Sequence, residues 1–208
     1  MKKINVLVAL FAAVVLTLSS CSGGSSKESM LFGDLPSEYA DLKAEKDKLK
    51  EKAQNITSEA EKAELIKKGK ELDEKWAPKL EKAAMSLDGK EIDVTDSIFK
   101  VTEPLSLTFE KLGSKNLEPI FKVNGTAVTA EDIIIENTFN PTRLVYIVGY
   151  DSAGEKLYSI KIGSITVNVK LNVLEIPAGT PIDFSTLTFD GAYVDKYPET
   201  KTLKLTYF

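Results

Sequence analysis

Ile165-Thr166-Val167-Asn168-Val169-Lys170-Leu171-Asn172-Val173 alternates without a break, with apolar residues at the odd positions and Thr, Asn or Lys at the even ones. Successive side chains of an extended chain point to opposite faces, so the pattern predicts a strand with one face on a core and one toward water. Leu105-Ser106-Leu107-Thr108-Phe109 and the tail Thr202-Leu203-Lys204-Leu205-Thr206-Tyr207-Phe208 repeat it. Leu144 to Val148 is continuously apolar, which predicts a buried central strand, and Asp151-Ser152-Ala153-Gly154 supplies a turn into Leu157 to Ile162. Asn124-Gly125 and Gly163-Ser164, each between apolar stretches, are dipeptides suited to tight hairpins, whose central residues need φ > 0.

Moving outward from this β-region, the period changes at Asp88-Gly89. From Ser37 to about Leu87 the chain is rich in Lys, Glu, Ala and Leu, with apolar residues at helical spacing: Tyr39, Leu42, Leu49, Ala53 and Ile56, then Ala63, Ile66, Leu72, Trp76 and Leu80. Asn55-Ile56-Thr57-Ser58 interrupts the pattern, and Ser58 with Glu61 forms a capping box that starts a second helix. Pro78 is expected to kink or end that helix near Trp76. The apolar stripe is thin, so the helices must lean on each other or on the next domain. The fold class is therefore α+β: an N-terminal helical hairpin followed by an all-β antiparallel sandwich, immunoglobulin-like or related, of roughly eight to ten short strands.

The N-terminus carries a different signal. Lys2 and Lys3 precede Ile4 to Leu18, an apolar run broken only by Asn5 and Thr17, which is the pattern of a secretory leader. Leu18-Ser19-Ser20-Cys21 follows, and it resembles the lipobox of bacterial lipoproteins. That resemblance covers the leader alone. It implies cleavage before Cys21, a diacylglyceryl thioether on its sulfur, and anchoring through more than one acyl chain. Ser22 in place of an acidic residue resembles an outer-membrane sorting signal. The expected organisation is a signal peptide over 1–20, a flexible tether over 21–36 opened by Ser22-Gly23-Gly24-Ser25-Ser26, a helical hairpin over 37–87 and a β-sandwich over 88–208. Cys21 is the one cysteine, so the exported chain must be stabilised by packing without disulfides.

Composition narrows the chemistry. The chain has no histidine, and Arg143 is its one arginine. Ser-His-Asp catalysis, histidine metal sites and paired Arg clamps on phosphate are thereby excluded. A net charge of -4 argues against a nucleic-acid partner. Carboxylates gather at Glu91, Asp93 and Asp96, at Glu131 and Asp132, and at Asp190 and Asp195, but turns and strand ends collect acids in any β-domain, so no catalytic residue, metal site or cofactor is assigned. Asp96-Ser97-Ile98 and Asp151-Ser152-Ala153 resemble the acceptor for O-glycosylation of exported Bacteroidetes proteins, which would modify Ser97 and Ser152. Lipobox, Lys-rich helices and β-domain together resemble the small exported lipoproteins of that phylum.

These features predict an exported, lipid-anchored, non-enzymatic module that binds a glycan or a cell-envelope partner. Trp76, Tyr193, Tyr197, Tyr207 and Phe208 offer aromatic faces on which sugars could stack, though aromatics in strands commonly belong to the core. The alternatives are a hydrolase using paired carboxylates or a Ser-Lys pair, and a subunit of a surface fibre. Against the first stands the absence of a motif such as Gly-x-Ser-x-Gly. Against the second, no arginine precedes Arg143 where a maturation protease could cut.

Overall fold

In the computed structural model the described residues are 31–54, 57–95, 97–114 and 116–208. The leader, the Leu18-Ser19-Ser20-Cys21 motif and Asp96 lie outside them. Helix α1 spans Leu35–Ala53 and opens with Pro36 in its first turn, where a missing N–H costs nothing. Helix α2 spans Glu59–Met85. Its start is the expected capping box: the Ser58 hydroxyl accepts the Glu61 N–H at 3.2 Å, and Glu61 accepts the Ser58 N–H at 3.1 Å. The Ser58 hydroxyl, followed by the Thr57 and Ser58 N–H groups, holds the Glu61 carboxyl below the usual carboxylate range.

Pro78 does not end α2, which continues through it to Met85. Trp76, Leu80, Ala84 and Leu87 are all buried on one side of the molecule, before and after the proline. Burying side chains of that size contributes about 1.5–3 kcal/mol for each large one, enough to offset the roughly 3 kcal/mol that proline costs inside a helix. Burial is also uneven along the hairpin. In α1 the buried residues are Leu35, Pro36, Tyr39 and Leu42, and in α2 they are Leu72, Trp76, Leu80 and Ala84. The base of the hairpin thus packs on the β-domain, while the distal halves are joined by ion pairs such as Lys46–Asp73 at 3.0 Å and Lys75–Glu45 at 2.8 Å.

The strands are β1 (Glu91–Ile92), β2 (Phe99–Leu112), β3 (Pro119–Thr129), β4 (Ile133–Ile135), β5 (Thr142–Tyr150), β6 (Lys156–Thr166), β7 (Val169–Lys170), β8 (Val173–Ile176), β9 (Asp183–Phe184), β10 (Thr186–Thr188) and β11 (Thr202–Tyr207). They pair antiparallel in three sheets ordered β1-β2-β3-β10, β11-β5-β6-β9 and β4-β8-β7. Leu105, Leu107, Phe121 and Val123 of the first share one core with Val145, Ile147, Ile160 and Leu205 of the second, a sandwich-like arrangement. The Asp151 turn forms as expected, its carboxylate accepting the Ala153 and Glu155 N–H groups at 2.8 Å each.

Three turn expectations are corrected. β3 runs straight through Asn124-Gly125, where Gly125 has φ +108° and a Cβ would lie 2.4 Å from the Pro104 carbonyl oxygen. The glycine serves a bulge opposite Pro104, at an irregularity in the β2–β3 register, and not a hairpin. β6 likewise runs through Gly163-Ser164, where a Cβ would meet the Asp183 carbonyl oxygen of β9 at 2.5 Å. The Ile165–Val173 stretch is not one strand. It breaks after Thr166 and turns between β7 and β8 at Leu171 and Asn172, with φ values of 51° and 64°. The two positive φ values that a tight hairpin requires are taken here by Leu-Asn.

The tether expected over 21–36 is corrected at its end, since the chain is packed from Leu31; residues 21–30 lie outside the described residues. Leu31, Phe32 and Leu35 are buried, and the Phe32 ring lies 4.8–5.9 Å from those of Tyr197, Phe189 and Phe121. Phe32→Ala should lower stability by about 3–5 kcal/mol through the cavity it leaves, measured by equilibrium urea denaturation. A loss below about 1 kcal/mol would show that this segment is not part of the core.

Candidate functional site

The aromatic residues expected to face a ligand do not gather on one surface. Trp76 is 3 % exposed and lies beneath Lys79, whose Nζ sits 4.3 Å from the ring centroid. Tyr197 is fully buried, its hydroxyl donating to the Asp190 carbonyl at 3.0 Å and accepting the Asp190 N–H at 3.2 Å. These two are core residues, because burial depends on what the fold stacks over them and not on local sequence. Tyr193 packs on Tyr158 with centroids 5.9 Å apart, and Tyr207 on Phe99 at 6.4 Å. Phe208 is exposed, braced by Tyr146 at 5.1 Å and capped by Lys156. The Ser97 hydroxyl donates to the Leu205 carbonyl at 2.8 Å and accepts the Phe99 N–H, which ties its segment to β11. Ser152 stands exposed in the β5–β6 turn.

The candidate carboxylates separate in the same way. Asp132 accepts the Ala178 N–H at 2.7 Å and fastens the β8 end. Asp190 borders a cleft of about 330 Å³ between α1 and the segments 116–118 and 190–192, and Asp195 lies at its edge, 4.0 Å from Lys43. Lys43, Lys46 and Lys50 follow one another at i, i+3 and i+7, which places them on one helix face along the cleft. Each is already paired, with Asp195, Asp73 and Asp47 respectively. Opposite them, Glu118 accepts the Gly191 N–H at 3.2 Å and Asp190 the Ala192 N–H at 2.9 Å. Tyr39 forms the floor and donates to the Asn116 carbonyl at 3.0 Å. Gly191 is required there, because a Cβ would lie 2.4 Å from the Tyr39 ring. Across the seam the helix meets the sandwich through Lys43–Asp195 and the Tyr39 hydrogen bond, while Lys46 and Lys50 are paired within the hairpin. Among the described residues no group of three or more Cys, Asp or Glu side chains converges as metal ligands.

A second feature was not anticipated from the sequence. Phe139, in the loop before β5, is 79 % exposed, and Leu171, in the β7–β8 turn, is 97 % exposed. The Thr138 N–H donates to the Asn172 carbonyl at 2.9 Å, which joins the two turns. Arg143 donates from one guanidinium nitrogen to Thr138 Oγ1 at 2.9 Å and from the other to the Thr142 carbonyl at 3.1 Å. Asn137, Leu171 and Asn172 all have positive φ. The available signal was weak: Asn-x-x-Asn-Pro at 137–141 marks a loop, but nothing local shows that it meets residues thirty positions on.

This pair of turns stands at the end of the sandwich away from the chain entry. Phe32 and Tyr39 meet Phe121, Tyr197 and the β2–β3 turn, next to the end of β5 at Tyr150. Phe139 adjoins the other end of β5, at Thr142, nine residues or about 30 Å along the strand. Comparison with protein-family models, with curated proteins and with solved structures finds no match.

Three tyrosines give the region a pH signature. Burial pushes the Tyr158 phenol up to about 12, and burial also holds Tyr197 well above the ordinary tyrosine range. In Tyr39 burial leads and the Glu118 carboxylate adds to it. A phenol raised in the folded chain keeps its proton where the unfolded chain has lost it, so the stabilisation is whole below pH 10 and falls as pH rises through the raised values. Tyr158 alone accounts for on the order of 2–3 kcal/mol between pH 10 and 12. Urea denaturation at stepped alkaline pH should show this decline, and Tyr158→Phe should make it shallower; an unchanged slope contradicts the assignment.

Proposed function

We propose that the protein is a membrane-anchored extracytoplasmic binding module, non-enzymatic, held on the outer membrane by a lipid on Cys21 and engaging an envelope partner through the end of its sandwich opposite the chain entry. The observation that carries this reading is the pair Phe139 and Leu171, two large apolar side chains held in water on mutually hydrogen-bonded turns. Apolar groups displayed together at a rigid surface mark interaction sites, and backbone strain concentrates where structure serves binding.

The anchor reading is supported by the leader and by Leu18-Ser19-Ser20-Cys21. Nine residues separate Cys21 from buried Leu31, a sequence distance that could span at most about 30 Å. No described helix is long and apolar enough to cross a membrane. The glycan version of the reading loses two of its aromatic faces with the burial of Trp76 and Tyr197, and a protein partner in the envelope fits the remaining surface better.

Detergent phase partition of the protein from its native membrane tests the anchor. Wild type should enter the detergent phase, with an intact mass above that of the chain from Cys21 onward by a diacylglyceryl group and an N-acyl chain. Cys21→Ser should stay uncleaved or become aqueous. An unmodified wild-type mass, or aqueous partition of wild type, would overturn the anchor.

A further inference from the structure

We infer that the Phe139–Leu171 end is a two-pronged plug for an apolar socket on a folded protein partner. This rests on the binding-module reading above and names the class of partner. Leu171 breaks two local rules at once. A leucine with φ 51° costs about 1–2 kcal/mol relative to a residue at ease in the left-handed region, and its side chain, 97 % exposed, recovers nothing inside the fold. Asparagine or glycine would serve the β7–β8 turn better. Leucine there gains its packing only when something else covers it.

Pre-organisation points the same way. The Thr138–Asn172 bond couples the two turns, Arg143 clamps the loop that carries Phe139, and the Asn140 side chain accepts the Thr142 N–H at 2.9 Å. Prongs carried on turns already held by hydrogen bonds leave only their side chains to order on binding, which lowers the cost.

Charge decides between a protein and a lipid surface. The two segments Glu136 to Thr142 and Thr166 to Asn172 carry one acid, Glu136, and one base, Lys170, in a chain that is 28 % charged. The rest is Asn, Thr, Pro, Val, Phe and Leu. Apolar anchors in a charge-poor, amide- and hydroxyl-rich surround match the centre of a protein interface. A segment that docks on an anionic bilayer needs a cluster of basic residues. Here the single charge of Lys170 is offset in sign by that of Glu136, and the Arg143 guanidinium is spent on its own loop. The chain entry that leads back to Cys21 also lies at the far end of the sandwich.

The test is photo-crosslinking in native cells, on the full chain, with a benzophenone amino acid replacing Phe139 in one variant, Leu171 in a second and exposed Ser152 in a control. The expected result is one and the same heterologous polypeptide joined from both prongs and not from the control. With the probe at Phe139, Leu171→Asn should cut that adduct about tenfold or more, as removal of an interface anchor does. Leu171→Asn should also keep or raise the melting temperature, since asparagine suits the turn, which separates loss of binding from loss of folding. Adducts to lipid, to glycan or to a second copy of the chain, no adduct, or an adduct indifferent to Leu171→Asn would each overturn the inference. The phase partition of wild type and Cys21→Ser reads the anchor independently. An aqueous chain that still forms the adduct sinks the anchor and leaves the plug standing.

Discussion

The ring of Phe32 is the contact on which the rest of this structure depends. It lies against Phe121 of β3, Phe189 after β10 and Tyr197 of a 3₁₀ turn, with two of the three pairs edge-on, a geometry worth about 0.5–1.5 kcal/mol beyond simple area burial. The described residues contain no cysteine, so cohesion must come from such packing. The hairpin buries too narrow a stripe to stand by itself, and each helix reaches the core only at its base. Phe32, Leu35 and Tyr39 bring that base onto the sandwich, and Tyr39 adds a hydrogen bond to the β2–β3 turn.

Once the hairpin base is fixed, the two ends of the sandwich differ in character. The entry end is aromatic inside, and three lysines of α1, Lys43, Lys46 and Lys50, are paired with Asp195, Asp73 and Asp47. Its cleft is a joint. The opposite end has its loops locked by Arg143 and two apolar side chains facing water. The sole arginine is used where a planar, multiply donating cation can hold Thr138, the Thr142 carbonyl and, at 3.5 Å, the Asn140 carbonyl at once, which a lysine could not do as well.

Local signals read correctly from the sequence were those whose cause is local. The Ser58–Glu61 capping box, the two helices and the Asp151 turn each depend on neighbours within a few positions, and each formed. The misread signals share a non-local cause. Gly125 and Gly163 are small because Pro104 of β2 and Asp183 of β9 pass close by, not because the chain reverses there. Pro78 does not end α2 because buried residues before and after it hold the helix on the molecule. Trp76 and Tyr197 are covered by elements distant in sequence. The Phe139–Leu171 pair was invisible for the same reason: alternation placed Leu171 on an apolar face, while the turn that ejects it is set by the pairing of β7 with β8.

Under the proposed anchoring at Cys21, the apolar end would point away from the membrane. Energy transfer from a donor dye to acceptors in the headgroup layer of vesicles carrying the lipidated protein measures this directly. The proposed thioether would occupy the Cys21 sulfur, so Leu171→Cys or Ser37→Cys would provide the one thiol for the donor. Strong transfer from position 37 near the chain entry and weak transfer from position 171 are the predicted results; transfer from position 171 equal to or above that from 37 would contradict the account.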